Sequence, residues 1–288
     1  MCDFCHRHGE GKVWYLQARN YSRDLAQDPK VRARLRHVAQ TAVDQAPRFD
    51  AQIRAFQRAP RSVRWLVNRY TSWDLKRHHH GQVVPMEDVR TLFRDVVTSV
   101  VRVPCVCRKG ATGRGDAYCM AVTTAPGTWD ETCRQVLFEE AGEGRFDGAD
   151  LGGLESLTPE QALALCEDFD RRGLVHTLWT FESPFIGGLC HCEAKTCAAL
   201  RFLTGGLDVL APGEQRAEVD PDLCTGCSEC VSRCGFGALS FDAGNGGARV
   251  DARRCYGCGL CRTACADSAL RLVPRTPSDP PLLLPWPA

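Results

Sequence analysis

From Val13 to about Trp73, apolar residues recur at three- and four-residue spacing, as in Val31, Leu35 and Val38 and again in Ile53 and Phe56, and this period predicts helices. Pro29, Pro47 and Pro60 divide the stretch. Proline fits the first turn of a helix and not its interior, so three or four short helices are expected and no long one. From about residue 82 the pattern becomes helix followed by strand, and it does so twice. Pro85-Met86-Glu87-Asp88 opens a helix carrying Val89, Leu92, Phe93 and Val96, a strand follows from Val100 to Val103, and then comes Cys105-Val106-Cys107. Thr158-Pro159-Glu160-Gln161 supplies an N-cap with proline at the first helical position. Ala162, Leu165 and Phe169 continue that helix to Gly173, a strand runs from Leu174 to Phe181, and Cys190-His191-Cys192 follows. The Gly-, Glu- and Asp-rich stretch from Glu139 to Gly153 reads as a surface loop. Further on, short strands are expected at 217–219, 238–241, 248–250 and 270–273, with Gly244-Asn245-Gly246-Gly247 as a turn.

These patterns divide the chain into an Arg-rich helical region (1–81), a middle domain of duplicated helix-strand units (82–205), a small domain at 216–273, and a Pro/Leu-rich extended tail (274–288). The fold class expected is α+β. At 288 residues, with 44% hydrophobic and 25% charged residues, the composition is that of a folded globular chain. No run approaches the roughly 18 apolar residues of a membrane-spanning helix, and the first residues lack the apolar core of a secretory signal, so a cytoplasmic location is expected. The net charge of +1 conceals an asymmetry: residues 1–84 carry 16 Lys/Arg against 7 Asp/Glu, the remainder 20 against 28. The basic residues are scattered through helical sequence, which points to a solvated face or to docking on an acidic surface; nucleic acid is not the expected partner.

The 18 cysteines change the picture most. They fall at ligand-like spacings in a chain with no export signal, which favours metal ligation over disulfides. Cys224-x2-Cys227-x2-Cys230-x3-Cys234 is repeated as Cys255-x2-Cys258-x2-Cys261-x3-Cys265. Three cysteines at two-residue gaps wrap one [4Fe-4S] cubane, and the fourth reaches the other cluster. One cluster is therefore assigned to Cys224, Cys227, Cys230 and Cys265, the second to Cys255, Cys258, Cys261 and Cys234. Gly226, Gly257 and Gly259 suit loops whose backbone approaches a cluster closely. Over about 60 residues this region resembles the bacterial two-cluster ferredoxins, although Gly235 and Ala266 stand where that family commonly has proline.

Six further thiols, Cys105, Cys107, Cys119, Cys190, Cys192 and Cys197, are delivered three apiece by the two helix-strand units. They are candidates for an additional iron-sulfur cluster or a zinc or iron ion, with reduced structural cysteines as the alternative. Pro104-Cys105-Val106-Cys107-Arg108, Gly173-Leu174-Val175-His176 and Cys190-His191-Cys192 make the section similar to the N-terminal part of a group of ferredoxin-fused iron-sulfur proteins of anaerobic microbes. That resemblance implies organisation, with no defined reaction. Arg108, Lys109 and Arg114 beside Gly110, Gly113 and Gly115 read as a basic loop able to bind phosphate or to neutralise an anionic cluster. His176 reads as a hydrogen-bonded core residue.

At the N-terminus, Cys2-Asp3-Phe4-Cys5-His6, with His8 close behind, has the spacing of c-type haem attachment, but a zinc or iron site using Cys2, Cys5, His6 and His8 is the better expectation without export. Taken together the residues point to an iron-sulfur electron-transfer protein or redox-enzyme subunit working with a redox partner protein. Two alternatives stand: a reductase whose reacting centre lies in the middle domain, and a metal- or redox-sensing scaffold that binds nucleic acid.

Overall fold

The computed structural model describes residues 3–140, 146 and 154–283. Five helices come first: α1 (Asp3–Gly9), α2 (Arg23–Ala26), α3 (Pro29–Asp44), α4 (Phe49–Arg58) and α5 (Arg61–His78). The prolines stand where expected, Pro29 on the first turn of α3 behind the Asp28 cap and Pro60 capping α5. The helices between them are longer than expected, however. With no breaker inside either interval, α3 runs for 16 residues and α5 for 18.

A six-stranded antiparallel sheet forms the centre. Its elements in chain order are β1 (Gly81–Val83), α6 (Met86–Asp95), β2 (Ser99–Val103), α7 (Val106–Thr112), β3 (Cys119–Thr123), α8 (Trp129–Arg134), β4 (Glu155–Leu157), α9 (Pro159–Arg171), β5 (Val175–Thr180), β6 (Ile186–Cys192) and α10 (Ala198–Thr204). The strand order is β1-β5-β6-β3-β2-β4. Each helix-strand unit thus ends in a hairpin, β2 with β3 and β5 with β6, and the two hairpins meet along β3 and β6. At the start of α9 the Thr158 hydroxyl accepts from the Gln161 N–H at 3.2 Å while the Gln161 side chain accepts from the Thr158 N–H at 2.9 Å, a complete capping box.

Helices α6 and α9 cover one face of the sheet with Val89, Leu92, Phe93, Ala162 and Phe169. The N-terminal segment enters that same core. Trp14 and Tyr15 are wholly buried there, the indole donating to Gln82 Oε1 at 2.5 Å and the phenol to Asp88 Oδ2 at 2.6 Å. On the opposite face lie α3, α8 and the π-helical turn 135–140, packed against Val101, Val103, Cys119 and Ala121.

The last unit comprises β7 (Gln215–Val219), α11 (Glu229–Arg233), β8 (Leu239–Asp242), β9 (Gly247–Val250), α12 (Leu260–Thr263) and β10 (Leu270–Pro274). Two hairpin-like pairs, β7 with β10 and β8 with β9, frame two cysteine loops. It is docked on the rest of the chain, not tethered: Arg262 makes a bidentate pair with Glu87 of α6, and Phe236, Tyr256 and Leu260 pack in one apolar cluster with Val175, Trp179 and Leu203.

Candidate functional site

In the C-terminal unit the interval from Cys224 to Cys255, thirty-one residues, governs everything. Four backbone N–H groups donate to cysteine sulfurs, each at 3.3 Å: Ala217 to Cys255, Ala248 to Cys224, Ala238 to Cys234 and Ala269 to Cys265. The donors and acceptors repeat at that same interval; Ala217 to Cys255 and Ala248 to Cys224 cross between halves, while the other two bonds stay within one half. Left-handed backbone does likewise, at Gly226 and Gly257 and at Ser228 and Gly259. A Cβ on Gly257 would lie 2.1 Å from the Gln215 carbonyl oxygen, and one on Gly226 would lie 2.3 Å from that of Gly246. Only glycine lets these loops close under a strand.

The thiols group across the halves. Cys224, Cys227, Cys230 and Cys265 line one hollow with Val219, Ala248 and Leu270. Cys258 has Cys261, Cys234 and Cys255 as its thiol neighbours. Burial pushes Cys258 well up from the usual thiol range and Cys261 to about 12; burial also raises Cys230, with Cys227, Cys265 and Cys224 adding to the effect. Thiols so placed ionise when a metal cation compensates them, and N–H donors aimed at sulfur stabilise the resulting thiolates. The donor set fits a pair of four-thiolate clusters. The loops differ in setting: Cys227 is exposed, whereas the second loop packs Tyr256, Cys258 and Leu260 against Val175, Trp179 and Leu203 of the remainder of the chain.

The six thiols of the middle domain also come together, by a route the duplication does not suggest. Alternation along β6 turns Cys190 and Cys192 to one face and His191 to the other. Cys119 opens β3 directly opposite Cys190, so the cross-strand partner of the second Cys-x-Cys pair is Cys119 and not the first pair. Cys105 caps α7 with Cys107 one turn-step inside it, and Cys197 precedes α10. Hydrogen bonds link the thiols in two strings, Cys105 with Cys119 and Cys119 with Cys190, then Cys107 with Cys197 and Cys197 with Cys192. All six line a cavity of about 470 Å³ walled by α3, α4, α10 and the sheet, with Arg34, His37, His79 and Arg108 around it. Hydrogen bonding to Cys119 and then burial raise the Cys105 thiol far above the ordinary range. At Cys190 the Cys119 hydrogen bond works downward, but burial prevails and pushes it up to about 12.

The basic Gly-containing stretch is a helix and not a phosphate loop. Gly110 lies where α7 crosses α3, a Cβ there falling 2.2 Å from the Ala42 carbonyl oxygen, and Gly113 is the left-handed C-cap. Arg108 spans the site, pairing with Glu193 at 3.3 Å and lying 4.1 Å over the Tyr118 ring.

At the N-terminus, Cys2 lies outside the described residues. Cys5 is fully buried and its thiol faces Glu214 Oε1 at 3.4 Å, while His6 is exposed and His8 lies tilted against the Phe4 ring. Helical geometry sends Cys5 and His6 in different directions, and the structure does not bring them together. Sequence reading passed over Cys133 and Cys166, each buried in an apolar core, and a buried polar chain behind β6 in which His176 Nδ1 meets His191 Nδ1 at 2.7 Å and His191 Nε2 lies 3.6 Å from Cys166. It also missed the four N–H donors to sulfur, for which the thirty-one-residue interval was the available signal.

Two crossed cysteine loops, each under a short antiparallel pair, define an iron-sulfur domain of the dicluster type. Residues 216–266 match the family described as a 4Fe-4S dicluster domain. No curated protein matches the chain. Among the described residues no helix is long and apolar enough to cross a membrane.

Proposed function

We propose that the chain is an iron-sulfur electron-transfer protein or redox-enzyme subunit holding two [4Fe-4S] clusters, one on Cys224, Cys227, Cys230 and Cys265 and the other on Cys255, Cys258, Cys261 and Cys234. The observation that carries this reading is the set of four N–H donors to sulfur repeating at a single interval, two of them crossing between halves, with all four acceptor cysteines inside the stretch that matches a dicluster domain. When bound, each cluster supplies a one-electron redox couple. The protein's part is to hold the thiolates, to stabilise their charge with backbone N–H groups, and to keep water from Cys230, Cys255 and Cys261, which are buried. The exposed Cys227 loop is the end at which a redox partner protein docks, because electron exchange requires close approach and the other loop is covered.

Anaerobic purification with iron and sulfide counted per chain tests this: about eight of each in the C-terminal unit is the expected result. Cys265→Ser and Cys224→Ser should abolish the same cluster in the spectrum of dithionite-reduced protein, and Cys234→Ser and Cys258→Ser the other. Zinc in place of iron at these cysteines would sink the proposal. A second reading, a reductase with its reacting centre in the middle domain, is favoured by one observation, the large cavity beside the six thiols.

A further inference from the structure

We infer that the six middle-domain thiols, Cys105, Cys107, Cys119, Cys190, Cys192 and Cys197, hold a further iron-sulfur cluster, beyond the two of the C-terminal unit. Four separate elements deliver these side chains to one cavity, and within it they bond to one another in two strings of three. Cysteines that merely fill a core do so singly, as Cys133 and Cys166 do here.

The spacing separates a cluster from a single ion. An ion with metal–sulfur bonds of about 2.3 Å needs every pair of its four thiolates about 3.8 Å apart. Among the described residues no group of three or more His, Cys, Asp or Glu side chains is placed to hold a single metal ion. A cluster with four cysteine ligands must draw on both strings, since neither has more than three.

The surroundings repeat the dicluster pattern. The Arg108 N–H donates to Cys105 at 3.5 Å, the Ala198 N–H to Cys107, the Leu200 N–H to Cys197, and the Thr177 hydroxyl lies 3.4 Å from Cys192. Arg34 and Arg108 also line the cavity, each paired with a carboxylate, Glu182 at 3.1 Å and Glu193 at 3.3 Å. Position gives the site its use. Cys192 and Cys197 pack in the same apolar cluster as Phe236, Tyr256 and Leu260, against which Cys234 and Cys258 also pack. The site adjoins the covered loop of the dicluster unit, so one electron lost there is one gained here, with no atoms transferred; this placement in line rests on the dicluster reading.

The test uses the full chain, purified anaerobically and reconstituted with iron and sulfide, with iron, sulfide and zinc counted and Mössbauer spectra recorded. The expected result is about ten to twelve irons per chain, the excess over about eight belonging to this site. The double variant Cys107→Ser/Cys190→Ser, one thiol from each string, should lose the excess and keep the dicluster spectrum, while Cys255→Ser/Cys258→Ser should keep the excess. If the double variant does not fold, Cys105→Ala at the half-buried end of one string replaces it, with the same expectation. An iron count of about eight that the middle-domain variant leaves unchanged would overturn the inference while leaving the dicluster reading intact. Zinc at the six thiols, or a disulfide among them in place of metal, would overturn it as well. Excess iron retained in a chain whose eight C-terminal cysteines take up none would uphold this site and sink the dicluster reading.

Discussion

At the residue scale, single positions decide whether the cysteine loops close. Gly257 has φ 72° and its α-carbon faces the Gln215 carbonyl, so Gly257→Ala adds a clash to a strained conformation; the expected outcome is loss of one cluster, read as about four fewer irons per chain. Its neighbourhood supplies a control. Ser228 takes the left-handed conformation, φ 67°, that its repeat counterpart Gly259 takes at φ 81°. A non-glycine residue there costs about 1–2 kcal/mol, offset in part by glycine's greater freedom in the unfolded chain, so Ser228→Gly should be neutral or stabilising by up to about 1 kcal/mol in anaerobic thermal melts.

At the element scale, α3 is the wall that positions the six-thiol cavity, and it is held from two sides. Its contact with α7 is close because Gly110 has no side chain. Gly110→Ala would set a methyl against Ala42 and the Ala46 Cβ, and overpacking of this kind costs about 1–3 kcal/mol. Calorimetry should show that loss, and metal bound at Cys105 and Cys107 should fall with it. The other tie is Glu140, which accepts from Arg32 and from Arg36 Nε at 2.7 Å. Hydrogen bonds to Arg32 and then Arg36 hold its carboxyl below the ordinary range against the opposing effect of burial. A folded pKa below the unfolded one means the tie contributes fully above the ordinary carboxylate pKa of about 4.3 and is lost as pH falls through the lowered value. Glu140→Gln should therefore melt earlier than the natural protein at neutral pH, with the difference closing as the pH falls below the ordinary carboxylate range. Helix α5, in the region read from sequence as a solvated or docking basic face, has no buried residue. It exposes Trp65, Leu66, Tyr70 and Trp73 as well as its arginines, two of which lie over Trp rings.

For the whole molecule, the question is how the C-terminal unit is fixed against the sheet. The Arg262–Glu87 pair is half exposed, and such pairs are worth about 1 kcal/mol or less. Glu87→Gln should leave the iron count unchanged and lower stability by that small amount in denaturant titration. The apolar cluster around Tyr256 carries more, since Phe236, Tyr256 and Leu260 are nearly inaccessible to solvent. Tyr256→Ala should cost about 3–5 kcal/mol and loosen the unit as a body, visible as raised amide exchange in β7 and β10.

The sequence by itself determined whatever is local. The two Cys-x2-Cys-x2-Cys-x3-Cys runs, the capping box at Thr158 and Gln161, the prolines at helix starts and the glycines of the loops each act within a few residues, and their spacing carries their meaning. The meeting of the six middle thiols was legible as a candidate, but the pairing of Cys119 with Cys190 was not, because strand register depends on how whole hairpins align. Tertiary structure alone also turned Cys5 into the core away from His6, made Gly110 a helix crossing where a basic loop was expected, and joined the N-terminal helices to the middle domain's core. Burial and register are properties of the assembled sheet, and no stretch of chain contains them beforehand.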